Sequence, residues 1–159
     1  MFNSENVEFK GFCDVEQLET ADPILKFVVG WGYGDNDLDF HLRTFLSLLP
    51  LGSFTFLDVV TDLKADLSPE FWTVAFGSIQ ALKTIHLNIR TSTFWQALTP
   101  TNDDNRTVPF STFASVSVED HDLDSQLILD KLRVRSKLGV TRLQDLRFSS
   151  GGFVPPAPK

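Results

Sequence analysis

Apolar residues in the spacing apolar-x-x-apolar-x-apolar recur at nearly equal intervals along this chain. The five copies begin at Ile24, Phe54, Leu82, Phe113 and Leu143, which places them 28 to 31 residues apart. Each copy is predicted to be a β-strand whose last two apolar residues share one face. A near-constant period of this size indicates a solenoid, in which each unit buries its apolar face against its neighbours.

Helical patterns lie between the strands. Amphipathic spacing predicts helices at four places, which are 38–49, 68–79, about 93–98 and about 125–138. Ser68 is a suitable N-cap, Pro69 suits the first helical position, and Gly139 can end the last helix in a left-handed turn. Strands separated by helices favour parallel pairing. The sequence therefore predicts an α/β fold, a short solenoid whose parallel sheet carries helices on its convex side.

The pattern divides the chain into three parts. Residues 1–22 are expected to be an N-terminal cap or a truncated repeat, residues 23–150 the solenoid of about five strand units, and residues 151–159 an extended C-terminal tail. No apolar run approaches the roughly 20 residues of a membrane helix, and the first residues lack the order of a signal peptide. With a single cysteine, Cys13, no internal disulfide can form. We therefore expect an intracellular protein, cytoplasmic or nuclear, with no membrane contact.

The charge is unevenly distributed along the chain. Residues 1–40 contain nine acids and two lysines, so their balance of −7 equals the net charge of the whole chain. A net negative charge argues against a nucleic-acid partner, because such binding depends largely on neutralising phosphates.

The last predicted helix is locally basic. Its cations, which we expect to form solvated helix surface or a docking face for an acidic partner, are Lys131, Arg133, Arg135 and Lys137. Trp95, in the shortest predicted helix, is expected at a rim, where aromatic side chains serve interfaces.

Two patterns in the sequence partly match motifs for phosphate or metal binding. Three alternate glycines begin the loop 30–39, between a strand and a helix, but their spacing does not match a phosphate-binding motif. Acids alternate at 35–39 and at 120–124 as in calcium loops, yet Phe40 and Ser125 occupy the position that requires glycine. We therefore predict helix capping for the acids, and neither a metal site, nor a cofactor, nor catalytic residues.

Several segments together carry a resemblance to a known family. They are LDFHLRTFLSLLP at 38–50, ALKTIHL at 81–87, LILDKLRVRSKLG at 127–139 and LQDLRF at 143–148. Over roughly 24–150 the chain resembles the degenerate leucine-rich-repeat region of F-box/leucine-rich-repeat proteins of mushroom-forming fungi. No F-box segment accompanies it. The resemblance implies a protein-binding module that forms the substrate-recognition part of an F-box-type ubiquitin-ligase receptor.

The predicted strands define a candidate binding surface. In parallel register their outward mid-strand row is Val28, Asp58, His86, Ser117 and Arg147, flanked by Thr84, Asn88, Ser115 and Glu119. We predict that this concave face binds a protein or peptide; the sequence does not decide whether a small molecule also binds. Two alternatives remain open: an enzyme that uses the loop 30–39, and a structural fragment of a longer repeat protein.

Overall fold

A computed structural model describes residues 5–12, 25–31, 38–61, 67–100, 108–120, 123–140 and 142–149. Cys13, the predicted tail and most of the loop 30–39 lie outside these residues. The strands are β1 (Glu5–Phe12), β2 (Leu25–Trp31), β3 (Phe56–Thr61), β4 (Thr84–Asn88), β5 (Ser115–Val118) and β6 (Asp145–Phe148). The helices are α1 (Leu38–Ser47), α2 (Pro69–Phe76), α3 (Ser92–Ala97) and α4 (Ser125–Lys137), with a short 3-10 helix at Leu51–Ser53.

The strands form one six-stranded sheet in the order β2-β1-β3-β4-β5-β6. The last four strands are parallel and lie in chain order, joined by α2, α3 and α4. They coincide with the last four copies of the apolar spacing. The predicted α/β class and the parallel pairing of these four strands are therefore confirmed.

The first copy of the spacing behaves differently. It forms β2, which does not lie beside β3, because β1 lies between them and is antiparallel to both. Phe9 in β1 is aligned with Phe27 on one side and with Val59 on the other. The expected direct pairing of the first and second copies is wrong, although the two strands run in the same direction. The physical reason is that β1 has its own apolar face, with Phe9 buried in the core, and enters the sheet as an additional strand.

One face of the sheet packs against the helices. Its buried apolar strand residues are Phe9, Leu57, Val59, Ile85, Leu87, Val116 and Val118. They share one apolar cluster with helix residues that include Leu42, Leu46, Phe71, Trp72, Phe94 and Ile128. The described parts of all four helices therefore cover the same face, and the alternate strand residues point to the other. No helix in the described ranges is long and apolar enough to cross a membrane.

Helix α3 contributes two aromatic side chains to this core. Phe94 contacts the rings of Trp72 and Phe113 edge-on, with centroids 5.5 and 6.1 Å away. Trp95 is 1% exposed, and its Nε1 donates to Thr91 Oγ1 at 3.0 Å. The expected rim position of Trp95 is wrong. The reason is that α3 packs between α2 and α4, so neighbouring helices flank it on both sides.

The predicted start of α2 and the predicted end of α4 are confirmed. Ser68 caps α2, because its Oγ accepts from Phe71 N at 3.0 Å, and Pro69 is the first helical residue. The cap is anchored to α1, since Ser68 N and Oγ both donate to the Asp39 carboxylate. Gly139 follows α4 with a φ of 72°, a conformation that glycine adopts without steric cost.

The acidic run at 120–124 contributes helix caps. Asp124 Oδ1 accepts from the backbone N–H groups of Gln126 and Leu127 at 3.0 Å, so the predicted capping role is confirmed there. Asp120 is buried and accepts from Thr91 N at 2.8 Å and Thr91 Oγ1 at 2.9 Å, which places its carboxylate at the start of α3. Three other acids of the two runs lie outside the described residues.

The basic helix α4 is not uniformly solvated. Arg135 is 5% exposed, and its guanidinium donates to the backbone oxygens of Leu98, Pro109 and Phe110 at 2.7 to 3.0 Å. Burial lowers the pKa of Arg135. The expectation that Arg135 belongs to a solvated surface is wrong, because these three carbonyl groups replace water around it.

Candidate functional site

The sheet face away from the helices, called the open face below, is organised in rows across the strands. Its middle row crosses all six strands in the order Lys26, Lys10, Asp58, His86, Ser117 and Arg147. The expected row differs at one end. Val28 is aligned with Glu8 of β1, and Glu8 is aligned with Val60 of β3. Val28 therefore lies in the row next to the middle row. The inserted strand β1 shifts the alignment, and Lys26 occupies the expected place of Val28.

Besides Val28, the eight other side chains predicted to form the binding surface lie on the open face, and their surroundings differ. Thr84 and Ser115 form a row below the middle one, together with Asp145. Asn88 and Glu119 lie at the carboxyl ends of β4 and β5, where Asn88 Nδ2 donates to Glu119 Oε2 at 3.0 Å.

The remaining four predicted residues belong to the middle row itself. Asp58, His86 and Ser117 occupy its centre. Arg147 lies at the sheet edge, where its side chain is 75% exposed and pairs with Asp145 at 2.8 Å. The structure therefore brings the central residues together and leaves Arg147 apart from them.

His86 is the centre of an ionic arrangement. Its Nδ1 lies 2.7 Å from Asp58 Oδ1, and its Nε2 lies 3.6 Å from Glu119 Oε1. The hydrogen bond to Asp58 raises the pKa of His86, and the charges of Asp58 and Glu119 act in the same direction, while partial burial opposes them. When His86 is protonated, its ring therefore lies between two carboxylates.

Three further charged residues extend this arrangement across β1 and β2. Lys26 Nζ lies 2.7 Å from Glu8 Oε1, and Lys10 Nζ lies 3.5 Å from Glu8 Oε1 and 3.6 Å from Asp58 Oδ2. The hydrogen bond from Lys26 lowers the pKa of Glu8, and the Lys10 charge contributes to the same shift.

Together these ionic residues form a continuous series in which the sign of the charge alternates when His86 is protonated. We call it the charge chain, and its members are Lys26, Glu8, Lys10, Asp58, His86 and Glu119. Sequence reasoning missed the first three. Alternation in Val7-Glu8-Phe9-Lys10 marks β1 as a strand with a polar face, but its position next to Asp58 is decided by sheet order.

The pair Asp58 and His86 has the geometry of an orienting acid and a base in nucleophilic catalysis. Ser117 is adjacent to His86 in the register. However, His86 Nε2 faces the Glu119 carboxylate, and within the described residues no hydrogen bond joins Ser117 to His86. The same part of the chain has no group of three or more metal-ligating side chains placed to hold an ion. The arrangement is therefore suited to electrostatic recognition.

Comparisons with protein-family models, with curated proteins and with solved structures find no match to this chain. The resemblance to F-box/leucine-rich-repeat proteins stays a prediction. The function is therefore inferred from the open face and its charges.

Proposed function

We propose that the protein is a protein-binding module that holds a protein or peptide against its open face. The charge chain carries this proposal, because it runs across β2, β1, β3 and β4 to the end of β5 on the face that the described helices leave uncovered. Its side chains are already paired with one another. A partner would therefore meet a largely ordered pattern of charges and would lose less conformational entropy on binding.

The proposal includes an architecture of the leucine-rich-repeat type. Four parallel strands in chain order, each aligned with the next, support a short solenoid with the open face as its concave side. In this interpretation the antiparallel pair β1 and β2 acts as the N-terminal cap. The family resemblance adds the role of substrate recognition for an F-box-type ubiquitin ligase, which would act in the cytoplasm or nucleus.

The charge chain also indicates the kind of partner. Its acids lie beside the cations, so an extended nucleic-acid backbone would meet carboxylates as well as lysines and would be repelled by them. A peptide with charges of both signs can match the alternation. Exposed ion pairs contribute about 0–1 kcal/mol each, so binding requires several of them and should weaken as salt screens the charges.

Site-specific photo-cross-linking tests which face the partner contacts. A photoreactive amino acid is placed at Ser117 on the open face or at Arg133, an exposed residue of α4, and cross-linked proteins are identified by mass spectrometry. The proposal predicts a discrete protein captured at Ser117 and absent at Arg133. Capture of the same proteins at both positions, or none at Ser117, would contradict it.

The partner identified in this way then permits a quantitative test. Lys26→Glu reverses an exposed charge at one end of the charge chain, and Arg133→Glu is the matched reversal on α4. Calorimetry should show weaker binding for the first variant and unchanged binding for the second. Equal affinities for both variants would remove the open face from consideration. The ligase role predicts, in addition, a longer half-life of the partner in cells that lack the protein.

A further inference from the structure

Strand β6 has a free edge in the described part of the chain. It pairs with β5 on one side, where Asp145 N donates to Ala114 O and Ser149 N donates to Val118 O. Successive residues of a strand direct their backbone groups to opposite edges, so Leu146 and Phe148 direct theirs away from β5. Unpaired groups of this kind form a template for another strand.

The apolar surface of the sheet also continues to this edge. Leu146 and Phe148 are aligned with Val116 and Val118 of β5, which are completely buried. Leu146 is only partly buried, and Phe148 is 46% exposed. A strand added beside β6 would therefore remove apolar surface from water as well as satisfy backbone groups.

We propose that β6 of a second copy of the chain pairs antiparallel with β6, about a two-fold axis at Leu146. In this register Leu146 lies opposite Leu146 of the second copy, and the two exchange both backbone hydrogen bonds. Asp145 of each copy then lies opposite Arg147 of the other copy. These opposite pairs are of the type without backbone hydrogen bonds, in which side chains approach most closely.

The free edge and the charges select this arrangement over other ways of pairing the same strand. Parallel pairing in register would require one β6 to use the edge that already pairs with β5, so this arrangement is unavailable. A two-fold axis uses, in each copy, the β6 edge that the described residues leave free, and it closes after two copies. An antiparallel two-fold axis at Arg147 would place Arg147 opposite Arg147 of the second copy, which is a pair of like charges.

The resulting dimer has a single twelve-stranded sheet, with the open faces of both copies on the same side. The inference does not depend on the proposed function, although it would give a partner two adjacent binding surfaces. Because each copy contributes a four-residue strand, the buried area should fall below about 1,200 Å², which is typical of weak association, with a Kd on the order of 10–100 μM.

Sedimentation equilibrium of the 159-residue chain over about 5–500 μM tests the inference, because this range brackets the expected Kd. Arg147→Asp and Asp145→Arg should each weaken dimerisation at least about tenfold, since each sets like charges opposite one another. The double variant, Asp145→Arg with Arg147→Asp, restores the opposite pairing and should restore the dimer. Arg133→Asp is the control for a change of net charge alone.

Thermal unfolding monitors the fold of each variant, and no large change is expected because the Asp145–Arg147 pair is exposed. A wild-type chain that stays monomeric throughout, or single reversals that leave dimerisation unchanged, would overturn the proposal. Association that continues beyond the dimer would also overturn it, because a β6 with both edges paired cannot add a further copy. None of these outcomes affects cross-linking at Ser117, so the two proposals fail separately.

Discussion

Replacement of Arg135 by methionine should destabilise the protein strongly. The buried guanidinium donates to three backbone oxygens, of Leu98, Pro109 and Phe110, and so connects α4 to the end of α3 and to the turn before β5. Hydrogen bonds from charged groups contribute about 1.5–3 kcal/mol each, while removal of a buried charge recovers part of its desolvation cost. We therefore expect a net loss of about 3 kcal/mol in the free energy of unfolding, since partners left unsatisfied cost about 1–3 kcal/mol apiece.

Urea denaturation followed by circular dichroism measures this loss, and thermal unfolding should show a decrease in Tm of about 6–12 °C for a chain of this length. Arg133→Met is the matched control on the same helix. Arg133 is exposed, and among the described residues it pairs only with Asp130 three residues earlier, at 3.3 Å, so its replacement should cost less than about 0.5 kcal/mol. The loss of stability in Arg135→Lys should lie between those of Arg135→Met and Arg133→Met. The compact lysine ammonium group cannot reach all three carbonyl groups, whereas the planar guanidinium does.

The reasoning would be refuted if Arg135→Met cost less than about 1 kcal/mol, the lower limit for leaving a buried partner unsatisfied. Equal losses for Arg135→Met and Arg133→Met would lead to the same conclusion. Either result would mean that the carbonyl groups find water or other partners without the guanidinium.

Two further predictions follow from individual contacts. Asp58 raises the pKa of His86, so the contact between protonated His86 and Asp58 stabilises the folded state. This stabilisation is complete below 6.5, the ordinary pKa of histidine, and is lost as the pH rises through the folded-state pKa of His86. The stability difference between wild type and His86→Gln, from urea denaturation, should therefore be larger at acidic pH; a difference independent of pH would contradict the contact. Gly11→Ala should destabilise by about 1–3 kcal/mol, because the new Cβ would overlap the buried Phe54 ring. Gly52→Ala is the control, because a Cβ at this position has no other atom within 4 Å. Equal stability of the two variants would show that the Phe54 ring moves aside.

The candidate surface was partly predictable from the sequence. Alternation within the strands predicts that Asp58, His86 and Ser117 face away from the core, and the structure places them side by side on the open face. Lys10, which pairs with Asp58, and Glu8, which pairs with Lys10, could not be predicted as neighbours of these residues, because their proximity depends on which strand lies next to β3. Sheet order is a non-local property, and the period of 28 to 31 residues suggested the wrong neighbour.

Features that depend on adjacent residues were predictable from the sequence alone: the positions of β3 to β6, the cap and first turn of α2 at Ser68 and Pro69, and the end of α4 at Gly139. Strand alternation, helix caps and left-handed turns are all set within a few residues. The insertion of β1 and the burial of Arg135 depend on tertiary contacts. Each requires partners from distant segments, the strand edges of β2 and β3 for β1 and three carbonyl oxygens for Arg135, and no local pattern encodes them.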